Sequence, residues 1–372
     1  MARDPEAIAP RMEVRFTVDE PPSKAFVTLS DRLTDGLGRL GVHLDFRPGG
    51  VIEESGQEFG RLSTLKPEQE FSVETRPVTW DKSPTVTVRI RLEKIPAGTL
   101  VTLEVEGWAT VIAASGGGQL DWYAGTLIPA ILRQLAPSSL GDWVTDRKAR
   151  RPTGEAAIAV YRDPTYHWPN FLLILDRIRL GPTDRLLEVA CGGGAFLRKA
   201  LESGCTALAI DHSPDMVRVT REANRSAIEA GRLSVLEGEA DHLPAPDSSF
   251  TCCVCTGAFA FFPNPLGALR EMYRTLAPGG RLAIYASSAA LRGTPAAPEP
   301  IASRLRFYEP EELELLARTA GFSEVRVEAT DEEKYARRAG LPEEVIAVFR
   351  NVGGAHLLLA RKPRSAFGEE VL

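Results

Sequence analysis

The stretch from Arg185 to Gly194 constrains this chain more than any other. Its letters, RLLEVACGGG, describe an apolar strand with an acidic residue, Glu188, that runs into three consecutive glycines. Glycine lets a backbone turn sharply and lets a ligand approach where a Cβ would block it. A second apolar strand, 207–210, ends in Asp211, seventeen residues beyond Gly194. This series indicates a nucleoside-binding α/β sheet: a strand, a glycine turn, a helix, and a second strand that ends in a carboxylate.

The spacing of the glycines indicates which nucleoside is bound. A dinucleotide site requires G-x-G-x-x-G, which directs a helix N-terminus at a pyrophosphate. Here the three glycines are consecutive, 192–194, and no Gly-Lys-Ser/Thr phosphate loop occurs. The turn therefore favours a ligand that has a ribose but no phosphate, and S-adenosylmethionine (SAM) is the candidate cofactor.

Four segments in this order resemble class I SAM-dependent methyltransferases, in particular the small-molecule, ubiquinone-methyltransferase-like members. Together they cover roughly residues 155–362. The segments are Glu188–Gly194, similar to motif I; Ile210–Met216, similar to the second motif; Gly238–Pro244, similar to the adenine-binding segment; and Leu276–Leu282, similar to the late helix–turn–strand signature.

Two positions depart from the family pattern. Ala190 replaces the first glycine of motif I and adds a methyl group where the ligand lies close. Phe250-Thr251 stands where the family commonly has Phe-Asp at the start of the fourth strand. Both departures keep a non-catalytic alternative open.

Residues 155–372 alternate helical and apolar strand patterns. This alternation predicts a largely parallel sheet with helices on both faces, an α/β Rossmann-like fold that the resemblance implies to have seven strands. Ligands of such sheets bind at the carboxyl ends of the strands. The predicted strands are 185–189, 207–210, 233–237, 251–255, 281–286, 324–328 and 356–361, and the predicted helices lie in 155–178 and at 196–203, 214–230, 265–276 and 310–320.

Residues 1–137 are predicted to form an α+β domain, because period-two strand patterns follow a helical one. Its elements are strands over 12–18, 86–92 and 101–106, a hairpin turn at 94–98, a helix over 23–39, and a helix over 119–135 that is kinked or interrupted at Pro129. A connector is predicted over 138–154, which is rich in charge and turn formers.

The element order in residues 1–137 resembles the START/Bet v 1-like (SRPBCC, helix-grip) superfamily, including its Hsp90-activator-like members. The resemblance implies an antiparallel sheet around a long C-terminal helix, often with an apolar cavity. A generic α+β sandwich is the competing fold. Four aromatic side chains are as suited to line a cavity as to fill a core: Trp80, Trp108, Trp122 and Tyr123.

The methyltransferase resemblance implies a role for each residue at the predicted site. The turn backbone would lie against the methionine part of SAM with Glu188 holding the turn, and Asp211 would bind the ribose hydroxyls. Met216 is equally suited to stack on adenine or to fill the core. The implied cofactor-binding residues are Glu188, Ala190, Cys191, Gly192, Gly194, Asp211, His212, Met216, Glu239, Ala240, Asp241 and Thr256.

The acceptor side is predicted from aromatic residues and one histidine. His167 is a candidate general base because the ordinary pKa of histidine is near neutral; the alternative is a histidine bonded within a helix corner. Tyr166 and Trp168 are candidates to exclude water from the site. Phe259 is a candidate either to line an apolar substrate pocket or to pack in the core.

Composition narrows the function classes. The net charge of −6 and the pI near 5.6 argue against broad nucleic-acid binding. No apolar run of 18 residues and no apolar signal core occur, so we expect no membrane span and a cytoplasmic protein. The five cysteines are expected to be reduced, and Cys252-Cys253-Val254-Cys255 to be a buried strand with no metal.

The sequence thus favours a SAM-dependent methyltransferase that acts on a small, apolar or aromatic molecule. Methyl transfer is an in-line displacement that needs positioning and exclusion of water, so the lack of a catalytic constellation fits it. Two alternatives stay open: a protein methyltransferase, and a non-catalytic protein that binds SAM, a hydrophobic ligand or a chaperone partner. A homodimer is compatible with either.

Overall fold

The computed structural model describes residues 12–39, 41–75, 85–107, 123–293, 297–352 and 355–364. The chain divides into two compact units, Met1–Val144 and Thr145–Leu372. This division falls inside the segment 138–154 that was predicted as a connector. Much of that segment is helical, in the form of α3 below and a further helical turn, Asp146–Arg150.

The first unit contains a seven-stranded antiparallel sheet in the order β1-β7-β6-β5-β4-β3-β2. The antiparallel arrangement agrees with the sequence prediction. Its elements are β1 (Met12–Val18), α1 (Pro22–Gly38), β2 (Val42–Leu44), β3 (Val51–Glu54), β4 (Gln57–Lys66), β5 (Glu70–Thr75), β6 (Val86–Ile95) and β7 (Gly98–Glu106), then a helical turn (Tyr123–Leu127), α2 (Ile128–Leu135) and α3 (Pro137–Thr145).

The core of the first unit lies between the sheet, α1 and α2. Helix α1 buries a stripe at helical spacing that includes Phe26, Leu29 and Leu33, and α2 buries Ile131 and Leu132. The predicted hairpin is present, with Ile95 paired to Gly98. Trp80, Trp108 and Trp122 lie outside the described residues, as does the side chain of Tyr123.

A small apolar cavity lies in this core. Its volume is about 30 Å³, room for little more than a water molecule. It is lined by residues of α1, the sheet and α2, among them Leu33, Phe71, Val88 and Ile131. An aromatic ligand therefore fits only if these side chains move apart.

The second unit contains the predicted seven-stranded sheet, in the order β10-β9-β8-β11-β12-β14-β13. Its first five strands are parallel, and β14 is antiparallel to both neighbours. The strands are β8 (Arg185–Val189), β9 (Thr206–Asp211), β10 (Leu233–Glu237), β11 (Phe250–Cys255), β12 (Leu276–Ala286), β13 (Ser323–Ala329) and β14 (His356–Arg361).

The helices of the second unit cover both faces of this sheet. They are α4 (Glu155–Arg162), α5 (Trp168–Ile178), α6 (Ala195–Ala200), α7 (Pro214–Ala223), α8 (Arg225–Glu229), α9 (Pro265–Thr275), α10 (Pro310–Thr319), α11 (Glu332–Arg338) and α12 (Glu343–Val352).

Helices depart from the prediction at two places. The helix predicted over 214–230 is interrupted at Asn224, whose side-chain amide donates to the carbonyls of Gly194 and Thr220. Helices α11 and α12 between β13 and β14 were not predicted at all.

Strand β11 explains the cysteine run. Cys252 packs in the apolar cluster on one face of the sheet, whereas Cys253 and Cys255 pack in the cluster on the other. All five cysteines of the chain are buried and unpaired. Burial raises the pKa of Cys252 to about 12, so this thiol stays protonated and acts as a small apolar side chain.

Candidate functional site

The glycine turn lies at the carboxyl end of β8, at the edge where parallel sheets bind ligands. Gly192 and Gly194 adopt left-handed φ angles of 53° and 76°. Helix α7 fixes the turn from the side, because the Thr220 hydroxyl donates to the Gly192 carbonyl at 2.6 Å and Asn224 donates to Gly194 at 3.2 Å. Both anchors were missed from the sequence, since nothing local marks them.

Gly193 is required by the chain itself rather than by a ligand. A Cβ on this residue would lie 2.0 Å from the carbonyl oxygen of Tyr161, at the end of α4. The ring of Tyr161 lies 3.3 Å from the position of a Gly192 Cβ. Helix α4 therefore packs directly on the turn.

Ala190 is one of six non-glycine residues with positive φ among the described residues, and its φ is 59°. Glycine is the residue that adopts this conformation without steric cost. The departure from motif I therefore places a Cβ at a backbone position that favours glycine.

Asp211 joins the ends of β8 and β9. Its Oδ2 accepts from the Gly192 N–H at 2.8 Å and its Oδ1 from the Ser213 N–H at 2.9 Å. Burial raises the pKa of Asp211, and these two N–H groups oppose the rise. The turn was predicted to be held by Glu188, whereas Asp211 makes the direct contact. Each Asp211 oxygen retains a lone pair for a ribose hydroxyl.

Glu188 is fully buried at the same edge. Its Oε1 accepts from the Thr256 hydroxyl at 3.3 Å, and its Oε2 has no partner among the described residues. Burial raises the pKa of Glu188 well above its ordinary value, and the charge of Asp211 adds to the rise. A buried carboxyl oxygen without a partner fits a ligand with a hydrogen-bond donor or a positive charge.

The residues predicted to read adenine lie beyond β9 and β10. His212 has Nδ1 3.3 Å from an oxygen of Glu239, and its Nε2 hydrogen-bonds to the carbonyl of Arg150. Asp241 accepts from Asn264 at 3.3 Å, and hydrogen bonding to His242 lowers the pKa of Asp241. Ala240 is half-buried between these two acidic residues.

Met216 lies in a core cluster. It is fully buried and packs with Ile158, Val219 and the half-buried Tyr161. This placement favours the core role over stacking on adenine. Cys191, whose pKa is raised by burial, has its sulfur 3.7 Å from the hydroxyl of Thr220.

His167 precedes α5 and lies close to the end of β11. Its Nδ1 is 3.8 Å from the position of a Gly257 Cβ, and its ring stacks on Phe171. Burial lowers the pKa of His167, so the imidazole is neutral at neutral pH. Neither ring nitrogen has a hydrogen-bond partner within the described residues, so the alternative of a bonded helix-corner histidine receives no support.

The three predicted substrate contacts differ in exposure. Tyr166 is 64% exposed, and Trp168 is half-buried with its N–H 3.4 Å from Asp163. Phe259 is fully buried between Phe262 and Tyr308. Full burial favours the packing role of Phe259 over an open pocket wall.

The second departure from the family pattern lies away from this edge. Thr251 stands at the amino end of β11, where its hydroxyl donates to Asp184 at 2.6 Å. Asp184 also pairs with Arg281 at 2.6 Å. Thr251 thus stabilises the opposite edge of the sheet and does not alter the candidate site.

The described part of the chain contains no cluster of three or more His, Cys, Asp or Glu side chains placed to hold a metal ion. None of its helices is both long and apolar enough to cross a membrane.

Known proteins resemble the second unit. A family model described as a methyltransferase domain matches residues 187–284. The ubiquinone/menaquinone biosynthesis C-methyltransferase of Haemophilus ducreyi is 30% identical over 145 residues, which cover 38% of this chain and 52% of that protein. The corresponding protein of Pasteurella multocida is 33% identical over 121 residues, or 32% and 44% of the two chains.

A solved SAM-dependent methyltransferase from Aquifex aeolicus aligns with a TM-score of 0.43 at 20% identity, over 55% of this chain and 97% of that one. The chain spans about half the length of the curated relatives it matches. The match to the methyltransferase-domain model lies within the second unit, where the sequence motifs predict such a domain.

Proposed function

We propose that the second unit binds SAM at the carboxyl edge of its sheet and transfers the methyl group to a small, apolar or aromatic molecule. The observation that carries this proposal is the hydrogen bond from the Gly192 N–H to Asp211, which holds the carboxylate next to the glycine turn. Its relatives, named as C-methyltransferases of ubiquinone and menaquinone biosynthesis, support a small-molecule acceptor.

The residues fit the cofactor at two positions. Asp211 would accept the ribose hydroxyls, and the free oxygen of Glu188 would accept a donor of the methionine end. SAM supplies a methyl group on a positively charged sulfur that is already activated for displacement. The protein then has to orient the acceptor and exclude water, and the packing of Tyr161 on the turn serves the second purpose.

His167 is the proposed base for an acceptor that must lose a proton. Its neutral imidazole can take a proton, and the residue lies beside Gly257 after β11. An acceptor that carries no such proton does not require it.

The first test is titration of the full chain with SAM by calorimetry, with Asp211→Asn as the variant. The amide weakens a charge-assisted bond, so affinity should fall about ten- to hundredfold. Asp247→Asn, an exposed carboxylate that pairs with Arg274, is the matched control and should bind like the native protein. No SAM binding by the folded native protein would contradict the proposal and favour the non-catalytic alternative.

Methyl incorporation separates the remaining acceptor classes. With labelled SAM, a heated small-molecule extract should become labelled, whereas protein and RNA fractions should not. Label in the protein fraction alone would favour the protein methyltransferase.

We propose further that the first unit has the START/Bet v 1-like fold and takes an apolar molecule in its cavity. The strand order and the placement of α2 against the sheet support this. The cavity of about 30 Å³ must widen as its lining side chains move apart to admit such a molecule. The full chain should then enhance the fluorescence of 1-anilinonaphthalene-8-sulfonate, and Ile131→Phe, which fills the cavity, should abolish that enhancement. Equal fluorescence from the two proteins would contradict the proposal.

A further inference from the structure

Three buried polar side chains meet near the carboxyl end of β12, on a face of the sheet that is otherwise apolar. They are Asn170 of α5, Tyr285 of β12 and Glu332 of α11, and they are 6%, 7% and 4% exposed. The sequence analysis assigned none of them to the site. Buried polar groups of this kind are hydrogen-bonded in folded proteins, so each bond of the cluster can be traced.

Glu332 is the acceptor at one end of this cluster. Its Oε1 accepts from the Tyr285 hydroxyl, from the Thr330 hydroxyl at 3.0 Å and from the Ala355 N–H at 3.1 Å. An ionised carboxyl group only accepts hydrogen bonds. The single proton of the Tyr285 hydroxyl is therefore directed at Glu332.

This arrangement determines how the Asn170 amide is oriented. Burial raises the pKa of Tyr285 well above its ordinary value and the charge of Glu332 adds to the rise, whereas hydrogen bonding from Asn170 opposes it. Tyr285 thus keeps its proton. Because that proton is directed at Glu332, the tyrosine oxygen can only accept from Asn170. The N–H side of the amide faces Tyr285, and the amide oxygen faces away.

The amide oxygen of Asn170 is left over. It is buried, and no donor reaches it within the part of the chain that the structure describes. A network that fixes a buried acceptor and leaves it unpaired carries a free-energy cost that a donor on a ligand removes. The amide oxygen is therefore suited to bind a ligand rather than to stabilise the fold.

Helix α5 places this oxygen beside the acceptor side of the candidate site. Asn170 lies three residues after His167, so the two side chains are neighbours on the helix surface. His167 in turn lies beside Gly257, directly after β11. The amide thus lies near the histidine that was proposed to take a proton from the acceptor.

Strand register separates the cluster from the ribose carboxylate. Val254 of β11 pairs with Glu188 of β8 on one side and with Ala283 of β12 on the other. Tyr285 lies two residues beyond Ala283, on the same face and closer to the carboxyl edge. Asp211 ends β9, three strands away in the sheet order. The cluster therefore belongs to the side of the site away from the ribose.

We propose that Asn170 is a specificity-determining residue whose amide oxygen accepts a hydrogen bond from a hydroxyl or N–H group of the methyl acceptor. Tyr285 and Glu332 are then positioning residues that hold the amide. The inference rests on the proposed function and narrows its substrate class to neutral molecules that carry a hydrogen-bond donor. An amide oxygen is not a base, so this donor keeps its hydrogen while another atom of the molecule is methylated.

The dependence of methyl transfer on extract concentration tests the role of Asn170. With labelled SAM and a dilution series of heated small-molecule extract, the full chain gives a half-saturating extract concentration and a maximal rate. Asn170→Leu, which is similar in size but has no acceptor, should raise the half-saturating concentration about three- to tenfold, as expected for one hydrogen bond. Its maximal rate and its SAM affinity by calorimetry should stay native.

Tyr285→Phe tests the positioning role. It removes the hydroxyl that orients the amide and leaves Glu332 two other donors. The half-saturating concentration should rise in the same direction, by about two- to fivefold. Tyr273→Phe is the matched control, because that hydroxyl belongs to the opposite edge of the sheet, at the end of α9 before β12. It should behave like the native protein.

The labelled product tests the chemical class directly. Mass spectrometry in deuterated water counts its exchangeable hydrogens, and the proposal requires at least one on oxygen or nitrogen. A product that exchanges none overturns the inference.

The remaining outcomes separate this inference from the proposed function. Absence of label from the small-molecule fraction overturns the proposed function and the inference with it. Label with native half-saturation in both folded variants overturns the inference alone. So does a folded Asn170→Leu that loses affinity for SAM, because the amide then binds the cofactor. If Asn170→Leu does not fold, native half-saturation in Tyr285→Phe is sufficient to reject the inference.

Discussion

At the scale of single residues, backbone conformation explains the departure from motif I. The φ of 59° at Ala190 is left-handed, and an L-residue pays roughly 1–2 kcal/mol for it. The neighbouring bonds of Asp211, Thr220 and Asn224 hold the turn in this conformation. The sequence revealed the substitution, but only the dihedral angle shows that it costs stability.

Ala190→Gly should stabilise the second unit by about 0.5–1 kcal/mol, because relief of the left-handed strain exceeds the added entropy of an unfolded glycine. The midpoint of urea unfolding measures this. Ala223→Gly, in the last turn of α7, is the control and should destabilise by about 0.5–1 kcal/mol. A loss of stability in Ala190→Gly would show that the alanine is not strained.

His167 should make stability fall in mild acid. Burial lowers its pKa, so the unfolded chain binds this proton more readily, and stability is lost as pH falls from about 6.5 through the folded-state pKa. His167→Asn should lose less stability than the native protein between about pH 7.5 and about pH 5.5. Equal losses in the native protein and His167→Asn would place His167 in a solvated environment.

At the scale of elements, periodicity predicted the strands of the second unit within a few residues. The apolar run 185–189 is a buried parallel strand, which the sequence marks clearly. Strand 233–237 lies at the edge of the sheet and buries only Leu233 and Val235. The two helices within 330–355 were missed. Residues 332–338 are mostly charged, whereas the apolar residues of α12 do not alternate as in a strand and pack with α11 in a small cluster. Local patterns likewise miss Tyr161, Thr220 and Asn224, because their contacts join segments distant in sequence.

Helix α4 packs so closely on the glycine turn that Gly193 has no room for a side chain. Gly193→Ala should destabilise the second unit by about 1–3 kcal/mol, because the added Cβ would meet the Tyr161 carbonyl at 2.0 Å. Urea unfolding and SAM titration should both show the loss. Gly181→Ala, which has nothing within 4 Å of its Cβ, is the matched control. Native stability in Gly193→Ala would mean that α4 does not rest on the turn.

At the scale of the whole molecule, each unit has its own apolar core and its own sheet. The sequence predicted this division from a change of pattern, from strand alternation to helix–strand alternation. It did not predict that the connecting segment is helical, since turn formers and charges there mask the helical pattern.

Separate cores predict two unfolding transitions in calorimetry. SAM at about 100 times its Kd should stabilise the second unit by about 2.7 kcal/mol and raise the melting temperature of one transition only. Adenosine triphosphate, which carries the same nucleoside with phosphates, is the control ligand and should shift neither. A shift of both transitions by SAM would show that the units unfold as one.

The burial of all five cysteines makes the native chain a convenient background for site-specific labelling. A maleimide dye reacts with accessible thiolates, and buried, protonated thiols react slowly. Lys148→Cys would place one reactive thiol in the segment before α4, where the lysine side chain is exposed. A fluorophore at that position can report changes in its surroundings in the full chain without the removal of any native cysteine.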